Sequence, residues 1–141
     1  MKLFTQLLSL LELFLSVAAD DTPPYGAPGG LQCRDIKLVD GPAIWASCPV
    51  NFNGTMIYLC GTMNINQCFA NQDGFLAARE NGGAANSCNN CQMSGTILQC
   101  DCLINTQTTL RQTSHIDTDV AIVNDGGGMK CYNQTAKIAL C

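Results

Sequence analysis

From Leu31 to Cys141 short apolar stretches alternate with clusters of Gly, Asn and Asp, and no stretch longer than about ten residues holds a helical period. The clusters at 39–42, Asn53-Gly54, 71–74, 81–83 and 125–128 read as turns between strands. Only the stretches around 64–70 and 117–123 leave room for a single helical turn. Along the strand that contains it, alternation puts Ile44 and Ala46 inward and sends Trp45 outward, a pointer to a partner surface. The pattern predicts an all-β (mostly) single domain over 31–141.

The same segment occurs twice, with cysteines marking both copies. The first runs through Cys33, Ile36, Leu38, Ala46 and Cys48 to Asn71-Gln72-Asp73-Gly74; the second runs through Cys88, Cys91, Met93, Cys100 and Cys102 to Asn124-Asp125-Gly126. The offset is 55 at the first cysteine, 54 at the second and 53 at the glycine turn. A duplication of this length predicts two pseudo-symmetric tandem repeats, about 31–80 and 86–132, with a short C-terminal extension to 141. In the second copy Gly95-Thr96 suits a two-residue hairpin loop with Gly first, as a type II′ turn requires. That register sets Met93 opposite Leu98 and Cys91 opposite Cys100, with Cβ atoms roughly 4.5–5.5 Å apart and near disulfide reach. Cys88 and Cys102 fall one step out of register, so pairing them at the hairpin base calls for a bulge or twist. Cys33 and Cys48 repeat this outer pair, while Ile36 and Ala46 take the places of Cys91 and Cys100. Cys60, Cys68, Cys131 and Cys141 remain, with three connectivities open.

Residues 1–19 read as a signal peptide: Lys2, an apolar stretch from Leu7 to Val17, and small residues at Ala18-Ala19. Residues 20–30, with three prolines and three glycines among them, read as a flexible leader. The expectation is a secreted, extracellular protein whose ten cysteines form disulfides. A net charge of −4, with few and scattered basic residues, argues against nucleic acid and against an anionic membrane as partners.

These residues resemble the cyanovirin-N homologue (CVNH) family, specifically its secreted fungal members. The match runs from about 31 to 132: Cys33-x-x-Ile36-x-Leu38 and Ala46-x-Cys48; Ile65-Asn66-x-Cys68-Phe69-x-Asn71-x-Asp73-Gly74-x-Leu76; Cys88-x-x-Cys91-x-Met93-Ser94-Gly95-x-x-Leu98-x-Cys100-x-Cys102; and Ile116-Asp117 with Asn124. The resemblance implies a β-rich fold whose halves exchange strands, with Cys33–Cys48 and Cys88–Cys102 paired within their repeats. It also implies a lectin that binds mannose-type oligosaccharides at shallow sites at the two ends of the molecule, without catalysis, cofactor or metal.

Carried over by position, the resemblance assigns carbohydrate contacts to Asn71, Asp73, Asn86, Ser87, Asn105 and Gln107. Amides donate and accept, and a carboxylate accepts from two adjacent hydroxyls, which suits a sugar's fixed hydroxyl directions. Against this stands a plainer reading of 71–74: Asn first and Gly fourth suit a type I turn with no ligand at all. The other end departs from the pattern, since the acid has moved one place, to Asp125. Only Gln32, Asn51 and Asn124 remain usable there, which predicts one strong and one weak or absent site.

Other chemistry finds little support. Cysteine spacing from Cys88 to Cys102 does not suit zinc knuckles. The single histidine, His115, argues against a nucleophilic triad and a His-ligated metal and reads as a solvated loop residue before Ile116. Asp73 with Glu80 as a glycosidase pair fits poorly with turn-borne acids on an open module. Asn53-Gly54-Thr55 and Asn133-Gln134-Thr135 are glycosylation acceptor patterns, at Asn53 and Asn133. The competing function is a disulfide-stapled effector-like scaffold that binds a protein or cell-wall partner, sugar binding having been lost. A monomer and a domain-swapped dimer are both compatible with the sequence.

Overall fold

The structure, a computed structural model, describes residues 30–105 and 107–141; the expected signal peptide and all but the last residue of the expected leader lie outside them. The described chain forms β1 (Arg34–Val39), β2 (Ala43–Phe52), β3 (Thr55–Asn64), β4 (Phe69–Gln72), β5 (Phe75–Ala78), β6 (Cys88–Ser94), β7 (Ile97–Leu103), β8 (Arg111–Asp117), β9 (Val123–Asp125), β10 (Gly128–Cys131), β11 (Gln134–Thr135) and β12 (Lys137–Leu140). Single 3-10 turns occur at Ile65–Gln67 and Thr118–Val120, as expected, and at Ala84–Asn86, which the sequence reading missed. One sheet has the order β1-β2-β3-β12, its counterpart the order β6-β7-β8, and two smaller sheets are built on the hairpins β4-β5 and β9-β10.

The hairpin of the second repeat closes at Gly95, whose φ of 58° fits the first position of a II′ loop. Met93 opposes Leu98 up to the turn, but below it Asn89 opposes Asp101 and Cys88 opposes Cys102, so the register shifts by one between Asn89 and Gln92. Residues three apart on an unbroken strand face opposite ways. The extra residue of this bulge, with Asn90 at φ 49°, lets Cys91 reach Cys100 while Cys88 reaches Cys102. The first repeat shows the same shift between Arg34 and Lys37, with Asp35 at φ 55° in the place of Asn90 and Cys33 bonded to Cys48. The four remaining cysteines pair as Cys60–Cys141 and Cys68–Cys131, leaving no free thiol.

The halves exchange their hairpins, as the family resemblance implies. Hairpin β4-β5 of the first repeat lies on the second sheet, where the Leu76 amide donates to Ser114 Oγ at 2.8 Å. Hairpin β9-β10 of the second repeat lies on the first sheet, with Gly127 against Val50 and Leu59. Leu31, Ile44, Met63, Ile65, Phe69, Leu98, Ile122 and Met129 fill the core between them and are all essentially sealed from solvent. Each such aliphatic or aromatic side chain contributes about 1.5–3 kcal/mol by leaving water. Ile44 and Ala46 are buried while Trp45 between them is half-exposed, as alternation requires. His115 corrects an expectation: it stands on strand β8, exposed, with Nε2 2.8 Å from Gln99 Oε1, and is not in a loop. The C-terminal extension is likewise a strand, β12, which pairs antiparallel with β3 and is tied to it by Cys60–Cys141.

Candidate functional site

Three hairpins share one local device. In Asn51-Phe52-Asn53-Gly54, Asn71-Gln72-Asp73-Gly74 and Asn124-Asp125-Gly126-Gly127, the first side chain accepts a hydrogen bond from the fourth amide at 2.8–2.9 Å. In each, the third and fourth residues both have positive φ: 49° and 80°, 50° and 92°, and 60° and 89°. These are type I′ loops of two residues, whose twist matches the flanking strands. The type I turn expected at 71–74 is thereby corrected: Asn71 lies on β4 and braces the turn from its side chain, and Asp73-Gly74 makes the turn itself.

Two of these asparagines also cross between halves. Asn71 Nδ2 donates to Leu103 O at 2.8 Å and to Ser87 Oγ at 2.9 Å; Asn124 Nδ2 donates to Pro49 O at 2.8 Å. Asn71 and Asn124 are thus pseudo-symmetric clasps. Both N–H groups of Asn71 are engaged within the protein, so its expected role as a donor to a sugar gives way to positioning. Gly74 suits its place because its φ of 92° strains any other residue, and a Cβ there would also have to displace the Gln112 side chain.

Around the Asn71 clasp three segments converge at one end of the molecule. The β4-β5 turn raises Asp73, exposed and without a hydrogen-bond or ion-pair partner among the described residues. The 3-10 turn at Ala84–Asn86 presents Asn86, exposed, followed by half-buried Ser87. The loop between β7 and β8, closed by the Ile104 amide on Leu110 O at 3.0 Å, presents Asn105 and Gln107. Asn105 Oδ1 accepts from the Gln107 amide at 2.9 Å, which fixes its direction and leaves its NH2 group for other partners. Of the expected contacts, Asn71 and Ser87 are bonded to each other; Asp73, Asn86, Asn105 and Gln107 stand exposed on the converging segments. Arg111 was missed by the sequence reading. Its guanidinium donates to Ser87 O and to Asp101 O, each at 3.0 Å, and so ties the Ser87 segment to the second sheet. Gln112 Nε2 and Thr108 Oγ1, at the same end, are shielded and have no protein partner.

The other end has a different make-up. Gly126 occupies the place of Asp73, and Asp125 is drawn aside to Lys130 at 3.4 Å. Gln32 and Asn51 are exposed, with Asn51 Oδ1 held by its own turn, and Asn124 serves as the clasp. Where the second half has an open loop, the first half has the long β2-β3 hairpin, with Phe52 and Met56 exposed at its tip.

Electrostatically the second sheet's outer face is a bonded polar network. Asp101 accepts from Thr113 at 2.7 Å and from Asn90 at 3.2 Å, and these two bonds, with a smaller contribution from Arg111, hold its pKa below the usual carboxylate value. Among the described residues, no cluster of His, Cys, Asp or Glu could hold a metal ion.

Residues 31–137 match the CVNH domain. No curated protein matches the chain. Among solved structures the chain is similar to the CVNH protein of Gibberella zeae, with a TM-score of 0.55 and 21% identity over 71% of this chain and 93% of that one. It is also similar to a variant of MoCVNH3 solved in complex with (N-GlcNAc)4, with a TM-score of 0.57 and 16% identity over 72% of this chain and 94% of that one. Two disulfide-stapled repeats with exchanged hairpins, and a family match over most of the chain, agree: the protein belongs to the CVNH family.

Proposed function

We propose that this protein is a secreted lectin without enzymatic activity that binds mannose-type oligosaccharides, and that its working site is the end built around Asp73. The observation that carries this is Asp73 itself. It is a carboxylate held at the apex of a rigid loop, with no partner among the described residues and with exposed amides on the two neighbouring segments. Asp73 accepts from adjacent hydroxyls; Asn86, Ser87, Asn105 and Gln107 supply further donors and acceptors; Asn71 and Arg111 hold the segments in place. The complex of the MoCVNH3 variant with an oligosaccharide supports sugar as the ligand class. Five disulfides among the described residues fit folding in an oxidising compartment.

The opposite end is the weaker site, because it lacks the apical carboxylate and its Asn124 is committed to the fold. Glycans on Asn53, exposed at its turn, and on Asn133 are part of the same proposal; a glycan on Asn53 stands beside Asn51 and screens that end. A scaffold that binds a protein is the second reading, and it is favoured by the exposed Phe52 and Met56, at 63% and 57% of full exposure.

A glycan array carrying oligomannose and chito-oligosaccharides, probed with the folded, glycan-trimmed protein and with Asp73→Ala, tests the proposal. Losing a hydrogen-bond acceptor of this kind weakens binding about tenfold or more. Oligomannose signal that fades in the variant is the expected result. Signal on chito-oligosaccharides alone corrects the sugar class, and silence on every glycan from protein with its disulfides formed leaves the scaffold reading.

A further inference from the structure

The two sheets are pseudo-symmetric, so each serves as a control for the other. The first carries three features that the second lacks and that concern one place: a fourth strand, β12, the Cys60–Cys141 disulfide, and the chain's one tryptophan. A groove of about 370 Å³ on the outer face is lined by Trp45, Thr62, Cys60, Lys137, Leu140 and Cys141. Its volume is at the small end of ligand pockets, roughly 300–1,000 Å³.

One row of the sheet, Lys37–Trp45–Thr62–Lys137, runs across all four strands with its residues directly opposed, so their side chains share a face. Lys37 Nζ stands 4.6 Å from the centre of the indole. Lys137 comes up three strand spacings away, roughly 14 Å between Cα atoms. Neither lysine has an acidic partner among the described residues, whereas Arg34 on the same face is shared between Asp35 at 3.8 Å and the Tyr58 ring at 3.5 Å. The equivalent row of the second sheet is Gln92–Gln99–His115; it has no cation-and-aromatic pair, and Gln99 and His115 bond to each other. The fold therefore does not require the aromatic and cationic arrangement of the first sheet.

We infer that the groove between Trp45 and β12 is a second saccharide site, remote from Asp73, that takes an anionic sugar. The sugar's apolar face packs on the indole, Thr62 meets a hydroxyl and Lys137 neutralises its charge, while Lys37, over the indole and outside the groove's lining, adds to the local positive field. An ammonium acts as a point charge, so carboxylate and sulfate serve equally. Two lysines without acidic partners beside one aromatic favour an anionic sugar over a neutral one, while the protein's net charge of −4 opposes unselective attraction of polyanions.

Trp45 is its own reporter. Its fluorescence is titrated with tetragalacturonate, with a chondroitin sulfate tetrasaccharide and with neutral mannotetraose. The proteins compared are the wild type, Lys137→Gln and Asp73→Ala. The expected result is a saturable change with at least one anionic probe and none with mannotetraose. That change should weaken about tenfold in Lys137→Gln, weaken as salt rises from about 0.05 to 0.5 M, and persist in Asp73→Ala. A response to tetragalacturonate assigns a carboxylate ligand, and a response to the sulfated probe alone assigns a sulfate. No saturable change with either, an equal change with mannotetraose, or indifference to Lys137→Gln overturns the inference. Loss in Asp73→Ala shows that the signal comes from the other site and overturns it as well.

Discussion

Four of the disulfides are nested: Cys60–Cys141 spans 81 residues and encloses Cys68–Cys131, which spans 63 and in turn encloses Cys88–Cys102 and Cys91–Cys100. Formed alone in the unfolded chain, the first of these removes loop entropy worth about 4.5 kcal/mol and the second about 4.3 kcal/mol. The two are not independent. With Cys68–Cys131 in place, the outer cysteines are already joined through the short arms 60–68 and 131–141, about 18 residues in all, and closing them adds only about 3.2 kcal/mol. Cys60→Ala/Cys141→Ala is therefore expected to cost about 3.2 kcal/mol in the otherwise intact protein and about 4.4 kcal/mol in a Cys68→Ala/Cys131→Ala background, where Cys88–Cys102 already shortens the loop by 14 residues, a coupling of about 1.2 kcal/mol. Packing lost with the sulfurs, including Cys141 Sγ beside Ser47 Oγ at 3.5 Å, enters both sides of the cycle and cancels. Equilibrium unfolding of the four proteins in guanidinium, without reductant and followed by circular dichroism, measures the coupling. Costs that add to within about 0.3–0.5 kcal/mol would refute the chain-entropy argument and place the stabilisation in the native state.

Gly82→Ala drives a Cβ to 2.5 Å from Phe69 O, a backbone atom that cannot yield, whereas Gly95→Ala meets open space and bears only its positive φ; thermal melts should show a loss of about 1 kcal/mol for Gly95→Ala and several-fold more for Gly82→Ala. Asn71→Ala strips three hydrogen bonds and orphans Leu103 O and the Gly74 amide, a cost of about 2–4 kcal/mol, while Asp73→Ala breaks no bond and bears only the cost of Ala at φ 50°, about 1 kcal/mol, beside its loss of ligand binding. The lowered pKa of Asp101 means that its network stabilises the protein fully above the ordinary carboxyl value of 3.8 and loses that contribution as pH falls through the lower folded value; the stability of Asp101→Asn should fall less than the wild type's between pH 4 and pH 2, and parallel curves would contradict this.

What could be read beforehand was whatever local chemistry enforces. Cys88, Cys91, Cys100 and Cys102 fit one hairpin only with a bulge, and the bulge is there. Ile44 and Ala46 flank Trp45 with a strand's period, and burial follows it. Long-range partners left no such mark. Strand β8 buries only Ser114, and β12 has every residue exposed, so neither has the apolar stripe by which a strand announces itself. Cys60–Cys141 depends on β12 and shared its obscurity. At the candidate site, exposure of Asp73 followed from its place in a turn. That the amide of Asn71 is spent on Leu103 and Ser87 depends on how the halves meet, which no run of neighbouring residues encodes.

The crossing of the two hairpins constrains how such a chain can have arisen. Asn71 clasps a carbonyl of the second repeat and Asn124 one of the first, so each sheet receives its cover from the other half. One repeat alone would leave its sheet bare and its own hairpin without a seat. Two copies of that single repeat, related by a two-fold axis, would satisfy every clasp. The present chain thus has the geometry of a homodimer fused end to end, whose halves are free to differ: one carries an acid at its tip, and the sheet of the other carries a tryptophan, a fourth strand and the disulfide that ties it.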